Sequence, residues 1–123
     1  MNILLELITL LENLNIPVET GSFSNVLPDE YVLLTPMVDI FEILRDNSPD
    51  FETQEARLLL FTKSNYLDLK LRITTALLNS NFVITQEQYI GYGNNSSYHN
   101  YVIDTSKIYS LINYSDNYSN NIK

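Results

Sequence analysis

The apolar residues of this chain change their spacing along its length, and that switching constrains the fold more than any other feature. Between residues 2 and 14, polar Asn2, Glu6, Thr9 and Asn13 recur every three or four positions, which marks one face of a helix. Leu4, Leu7, Ile8, Leu11 and Leu14 fill the opposite side, and Ile3, Leu5 and Leu10 widen it. The arc is broad enough to pack on a sheet with apolar surface left for a neighbouring chain. Pro17 is the expected stop, because the residue before a proline disfavours helical torsions.

After a short extended segment and loop over residues 18–28, the spacing becomes strand-like. EYVLLTPMVDIFEIL (30–44) is rich in β-branched and aromatic residues. Pro36 makes this run either an edge strand or two strands joined at a bulge. RDNSPD, from Arg45 to Asp50, has turn chemistry. The next strand is expected over Glu52–Lys63. There Ala56, Leu58 and Leu60 share one face, while Glu55, Arg57, Leu59 and Phe61 share the other. Leu59 and Phe61 are apolar on what should be the wetter face, so something further is expected to cover them.

Helical spacing returns over about residues 66–80, with Asn65 as N-cap, Asp68 near the positive end of the dipole and Asn81 as the stop. Tyr66, Leu69, Ile73, Ala76 and Leu77 form one apolar stripe; Leu67, Leu71 and Leu78 form a second. One stripe suffices for a sheet, so the second invites a partner. FVITQEQYIGY and SYHNYVIDTSKIY then read as a hairpin around GNNSS, with Gly93 and the following asparagines expected to supply positive φ.

The elements follow the order α-β-β-β-α-β-β. Helices and strands do not alternate regularly, which predicts an α+β fold: an antiparallel sheet, built from a meander and a C-terminal hairpin, carrying two packed helices. A chain of 123 residues with 45% hydrophobic and 18% charged residues is of one-domain size and globular composition. The expected domain spans residues 1–112, and the polar stretch 113–123 is expected to be a flexible tail.

The chemistry-bearing residues are few. There is no cysteine, which excludes disulfides, thiolate nucleophiles and Cys-based zinc sites. YIGYGNNSSYHNYVID (89–104) holds the sole histidine, His99, and Tyr89, Tyr92, Tyr98 and Tyr101. Its GYG triplet would need flanking membrane helices to act as an ion filter. No run approaches the roughly 18 uncharged apolar residues that span a bilayer. MNILLELITLLENLNI lacks a basic n-region and a small-residue cleavage site, so a soluble, unprocessed protein is expected. Asp104 is the nearest acid to His99 along the strand, but five residues away it falls on the opposite face. Ser96 and Ser97 are loop serines without nucleophile-elbow context. A lone histidine is a weak start for a metal site, and no Gly-rich phosphate loop occurs. No enzyme, metal or cofactor is expected. The net charge of −8, with its seven cations spread out, disfavours nucleic-acid binding.

PVETGSFSNVLPDEYVLLTP, DIFEILRDN, QEARLLLFTKSNYLDLKLRITTALLNSNFVIT and QYIGYGNNSSYHNYVIDTSKIY resemble, in that order over about residues 17–109, small tail proteins of prophages and phage-tail-like particles. The most specific parts are YVLLTP, EARLLLFTK, the YIGY arm and the Y-H-x-Y-x-I-D arm. The likeness is to the tail terminator, or tail-completion, group. It implies two helices on a sheet and a homo-oligomeric ring, usually a hexamer, that caps the tail tube and meets the head or connector protein. It also implies a place in a virion or tail-like particle assembled in the host cytoplasm, with no membrane and with DNA only as passing cargo. The interface residues expected from the surplus apolar positions and the hairpin are Leu59, Phe61, Leu67, Leu71, Leu78, Tyr89, Tyr92, Tyr98, His99 and Tyr101. Acids expected to line a lumen are Asp46, Asp50 and Glu52. The alternatives are another connector or baseplate component, or a small ligand-binding or hydrolase α+β domain with His99 and the tyrosines in a pocket.

Overall fold

The computed structural model describes residues 2–21, 26–45 and 48–110, and of residues 38–45 and 48–50 only the backbone. The stretch expected to be a flexible tail, 113–123, lies outside the described residues.

Helix α1 spans Ile3–Asn13. Asn2 caps it, its side-chain oxygen accepting from the Leu4 and Leu5 N–H groups at 2.7 and 3.3 Å, which satisfies donors that the first turn leaves unpaired. The Ile3 N–H finds Gln54 Oε1 at 2.8 Å. Helix α2 spans Tyr66–Asn79, with the Asn65 side chain accepting from the Leu67 N–H. Both helices end alike. Asn15 and Asn81 take left-handed φ values of 60° and 65°, and the next N–H reaches back five residues, Ile16 to Leu11 and Phe82 to Leu77, each at 3.0 Å. Asparagine tolerates this conformation, and buried Ile16 and Phe82 then seal the helix ends. Asn15 thus stops α1 before Pro17 is reached.

The sheet contains β1 (Val18–Thr20), β2 (Glu30–Arg45), β3 (Ser48–Thr62), β4 (Val83–Tyr92) and β5 (His99–Ser110). Their spatial order is β1-β2-β3-β5-β4. The fold is therefore α+β, two helices on a five-stranded mixed sheet, and the expected all-antiparallel meander needs two corrections. First, β1 runs parallel to β2, with Val18 opposite Val32 and Thr20 opposite Leu34. A parallel pair needs a connection back to the starting end of the first strand, which a tight antiparallel turn does not supply. Second, β5 lies between β3 and β4. Its run Tyr101–Thr105 is buried on both faces, whereas β4 is almost wholly exposed, so burial assigns β5 the interior and β4 the edge.

Pro36 falls where β2 has run past β1, and the β2–β3 register shifts between Pro36 and Asp39. Edge position and bulge coincide there. The β3 strand begins at Ser48, earlier than the expected Glu52, so Asp50 and Glu52 are strand residues and not loop acids. In the β4–β5 loop the positive φ belongs to Ser97, at 66°, and to none of Gly93, Asn94 or Asn95. Ser97 is positioned by its N–H bond to the Gly93 carbonyl at 2.7 Å.

One core fills the space between helices and sheet. Leu7, Leu11, Leu69, Ile73 and Leu77 meet Val32, Leu34, Leu58, Leu60 and Ile103, all essentially inaccessible. Each such aliphatic side chain contributes about 2 kcal/mol on leaving water. Lys107 of β5 ties the layers together, its ammonium donating to Glu6 of α1 at 2.7 Å and to the Ser80 carbonyl after α2 at 3.2 Å. Among the described residues, the opposite face of the sheet carries no helix.

Candidate assembly surfaces

The alternation of β5 sorts the hairpin tyrosines by face. His99 and Tyr101 point to the helix side. Tyr66 of α2 lies beside them, its ring centre 4.7 Å from Tyr89, 5.4 Å from His99 and 5.9 Å from Tyr101. Tyr92 approaches His99 from the other side at 4.8 Å. The Tyr89 hydroxyl and His99 Nδ1 are hydrogen-bonded at 3.0 Å. Lys70 extends over the Tyr101 ring at 5.3 Å and pairs with Glu87 at 3.4 Å. The Tyr101 hydroxyl first, and Glu87 after it, raise the Lys70 pKa above its ordinary value. His99 is therefore the centre of an aromatic cluster, and Asp104 lies on the opposite face of β5 from it.

On that opposite face Tyr98 closes a second cluster. Tyr31 stacks on Phe61 at 4.7 Å, and Tyr98 meets both edge-on at 5.4 and 6.3 Å. The Tyr98 hydroxyl donates to the Pro28 carbonyl. These rings supply the cover expected for Phe61. Tyr98 and Tyr101 are 8% and 6% exposed, so both rings are buried within this chain. Leu59 and Phe61 are only part-exposed. Tyr89, at 39%, and Tyr92, at 49%, remain accessible.

The second stripe of α2 has a different character. Leu67, Leu71 and Leu78 are 56%, 65% and 59% exposed, on the side of the helix away from Leu69, Ile73 and Leu77. From Leu67 to Leu78 the stripe runs about 16 Å at the helical rise of 1.5 Å per residue. Leu5 of α1 is also bare. A cleft of about 560 Å³ lies between the helices, lined by Leu5, Leu10, Leu14, Ala76 and Phe82 with Glu6 and Asn79. A smaller cleft of about 350 Å³ lies beside the hairpin, among Leu27, Tyr31, Phe61, Tyr92, Tyr98 and Asn100. His99 lines neither.

Sequence reasoning missed the ion pair on the uncovered face. Arg57 of β3 and Asp104 of β5 are register partners, and their side chains form a bidentate pair. The signal was available: Asp104 ends the apolar run Tyr101–Ile103, and a carboxylate so placed demands a cation. Charge elsewhere is also compensated. Lys63 meets Asp29 at 3.6 Å, Arg72 meets Glu30 and Asp68 at 2.9 and 3.1 Å, and Lys107 meets Glu6. Every cation whose side chain is described (Arg57, Lys63, Lys70, Arg72 and Lys107) thus has an acidic partner. Glu12, Glu19 and Glu55 have no ion-pair partner among the described residues. Of the acids expected to line a lumen, Asp46 and the Asp50 side chain lie outside the described residues. Glu52 sits on the helix side of β3 and accepts from Gln54 Nε2 at 2.8 Å.

No group of three or more His, Asp or Glu that could hold a metal occurs among the described residues. No described helix is long and apolar enough to cross a membrane. No protein-family model matches the chain, and no curated protein matches it.

Proposed function

We propose that this protein is a structural subunit of a phage tail or phage-tail-like particle, of the tail terminator kind. In this reading copies of the chain form a ring, most simply a hexamer, that caps the tail tube and meets the head or connector protein. The observation that carries the reading is the second stripe of α2. Three leucines more than half exposed on one helix of so small a domain cost solubility unless a partner covers them. The accessible Tyr89 and Tyr92 suit the same role, since tyrosine packs with its ring and hydrogen-bonds with its hydroxyl. The compensated cations and unpaired acids suit a ring past which DNA moves without being held.

The test is imaging of purified tail tubes incubated with gold-labelled protein. The expected result is label at one end of each tube. Label scattered along the tube, or none bound, sinks the terminator reading.

A further inference from the structure

The cleft between α1 and α2 does not end at Leu14. A second cleft of about 370 Å³ shares Leu14, Ala76 and Asn79 with it and continues to Leu71, Arg72 and Thr75. The two make one groove. Its floor is open because α2 sets short side chains, Thr75 and Ala76, opposite Leu10 and Leu14 of α1. From Leu5 to Leu14 it runs about 14 Å, some two and a half helical turns. Leu5 and Leu71 stand at its lips, 64% and 65% exposed. Leu67 and Leu78 line neither cleft and stay available to the ring.

The two ends of the groove differ in charge. At the Leu5 end the Glu6 carboxylate is matched by Lys107 at 2.7 Å. At the Leu14 end one guanidinium, Arg72, is shared by two carboxylates, Asp68 and Glu30. Glu12, one helical turn from Thr9 on the α1 rim, is exposed and has no ion-pair partner among the described residues. Three carboxylates against one guanidinium leave that end acidic beside an apolar floor.

We propose that this groove seats an amphipathic helix of another protein, one whose apolar stripe ends in lysine or arginine. The inference rests on the reading of the protein as an assembling subunit and gives the chemistry of one of its partners. A helix is the fitting occupant because an apolar stripe at helical spacing fills a trough between two helices. Cations at one end of that stripe meet the acidic end of the groove, which sets the direction in which the helix lies and selects among partners. A second copy of this chain does not offer such a helix. Helix α1 contains no lysine or arginine, and the two cations of α2 are already held, Lys70 by Glu87 and Arg72 by Asp68 and Glu30.

Three fluorescent helical peptides of about 14 residues serve as probes of the full-length protein. The first carries a leucine stripe with lysines at one end. The second has glutamate in place of each lysine, and the third keeps the lysines but has glutamine in place of each leucine. The expected result in fluorescence anisotropy is that the first binds about tenfold tighter than either of the others, with a smaller advantage over the second at high salt. Thr75→Lys sets a cation at an exposed position in the groove, and Leu5→Gln removes one of its lips. Each should weaken binding of the first peptide about tenfold. Ile108→Gln, at an exposed residue that lines neither cleft, should not. Equal binding of the first and second peptides removes the charge complementarity, and equal binding of the first and third leaves only acid attracting base. Binding that is indifferent to both Thr75→Lys and Leu5→Gln puts the peptide elsewhere. Each of these overturns the proposal, and so does binding of none of the three. If in that last case Leu5→Gln lowers the native mass of the protein, a second copy fills the groove instead. None of these outcomes depends on where labelled protein sits on a tail tube, so failure of the groove and failure of the tail reading are separable.

Discussion

Arg57 and Asp104 face each other across β3 and β5, the guanidinium Nε and Nη2 donating to the two carboxylate oxygens at 2.8 and 3.0 Å. The pair is unequal. The Asp104 side chain is 5% exposed, the Arg57 side chain 40%. Loss of either partner therefore has different consequences, because the arginine can turn to water and the carboxylate cannot.

The first prediction follows from that asymmetry. Arg57→Met leaves a buried carboxylate without its cation and lowers stability by about 3 kcal/mol. Asp104→Asn leaves an arginine that rehydrates and costs about 1 kcal/mol. Urea denaturation midpoints with unchanged m-values give the comparison. Equal losses, or a larger loss for Asp104→Asn, would show that the pair is not the buried anchor of this face.

A second prediction concerns alkaline pH. Among the described residues the buried Tyr109 hydroxyl makes no hydrogen bond of ordinary geometry, but it lies against the Glu6 carboxylate closely enough to interact with it. Burial first, then the neighbouring charge of Glu6, pushes its pKa well above the ordinary tyrosine value. A raised pKa means that the folded chain holds this proton more tightly than the unfolded chain does. The stability this represents is fully present below the unfolded value of about 10 and is lost as pH rises through and beyond it. Tyr31 is raised in the same direction by burial and by Tyr98. Tyr109→Phe should thus reduce, without abolishing, the loss of stability between about pH 9 and 11. At neutral pH it should change stability by less than about 1 kcal/mol, since the hydroxyl's burial and its contact with Glu6 act in opposite directions. Denaturation across that range checks both, and an undiminished alkaline loss in Tyr109→Phe rejects the assignment.

The two stripes of α2 should respond oppositely to substitution. Leu69→Ala or Leu77→Ala opens a cavity in the core and costs about 3 kcal/mol. Leu71→Gln or Leu78→Gln removes a side chain already in water and changes monomer stability by less than about 0.5 kcal/mol. Only the second pair should weaken self-association, read by native mass measurement. A Leu71→Gln protein that unfolds as readily as Leu69→Ala would mean the stripe belongs to the fold.

These stripes were legible in the sequence because helical packing is written locally, every third or fourth residue. The caps Asn65 and Asn81, the bulge at Pro36 and the face alternation of Leu58 and Leu59 were legible for the same reason. The strand order was not. That β5 sits between β3 and β4 depends on which strand can be buried on both faces, and the clue, apolar Tyr101–Ile103 against polar Thr85–Gln88, appears only when two segments are compared. The parallel pairing of Val18 with Val32 has no local signature at all. Among the candidate interface residues, exposure of Leu67, Leu71 and Leu78 followed from periodicity. Burial of Tyr98 and Tyr101 did not, because it depends on Tyr31, Phe61 and Tyr66, which come from distant parts of the chain.

The last prediction concerns His99, the residue that most invites a catalytic reading. Its ring lies between Tyr66 and Tyr92, and Nδ1 is occupied by the Tyr89 hydroxyl. A general base needs a substrate proton within reach and an acid to orient it, and Asp104 is on the far side of the strand, engaged by Arg57. A packing role predicts that the shape and polarity of the side chain are what matter. His99→Gln keeps a planar polar group that can still bond Tyr89, and stability should change by less than about 1 kcal/mol. His99→Asp puts a carboxylate among the Tyr66, Tyr89 and Tyr92 rings and should cost about 2 kcal/mol. Thermal melts at neutral pH measure both. A His99→Gln chain that folds and assembles like the parent, yet loses a hydrolytic activity that the parent possesses, would overturn the structural assignment and restore the histidine to chemistry.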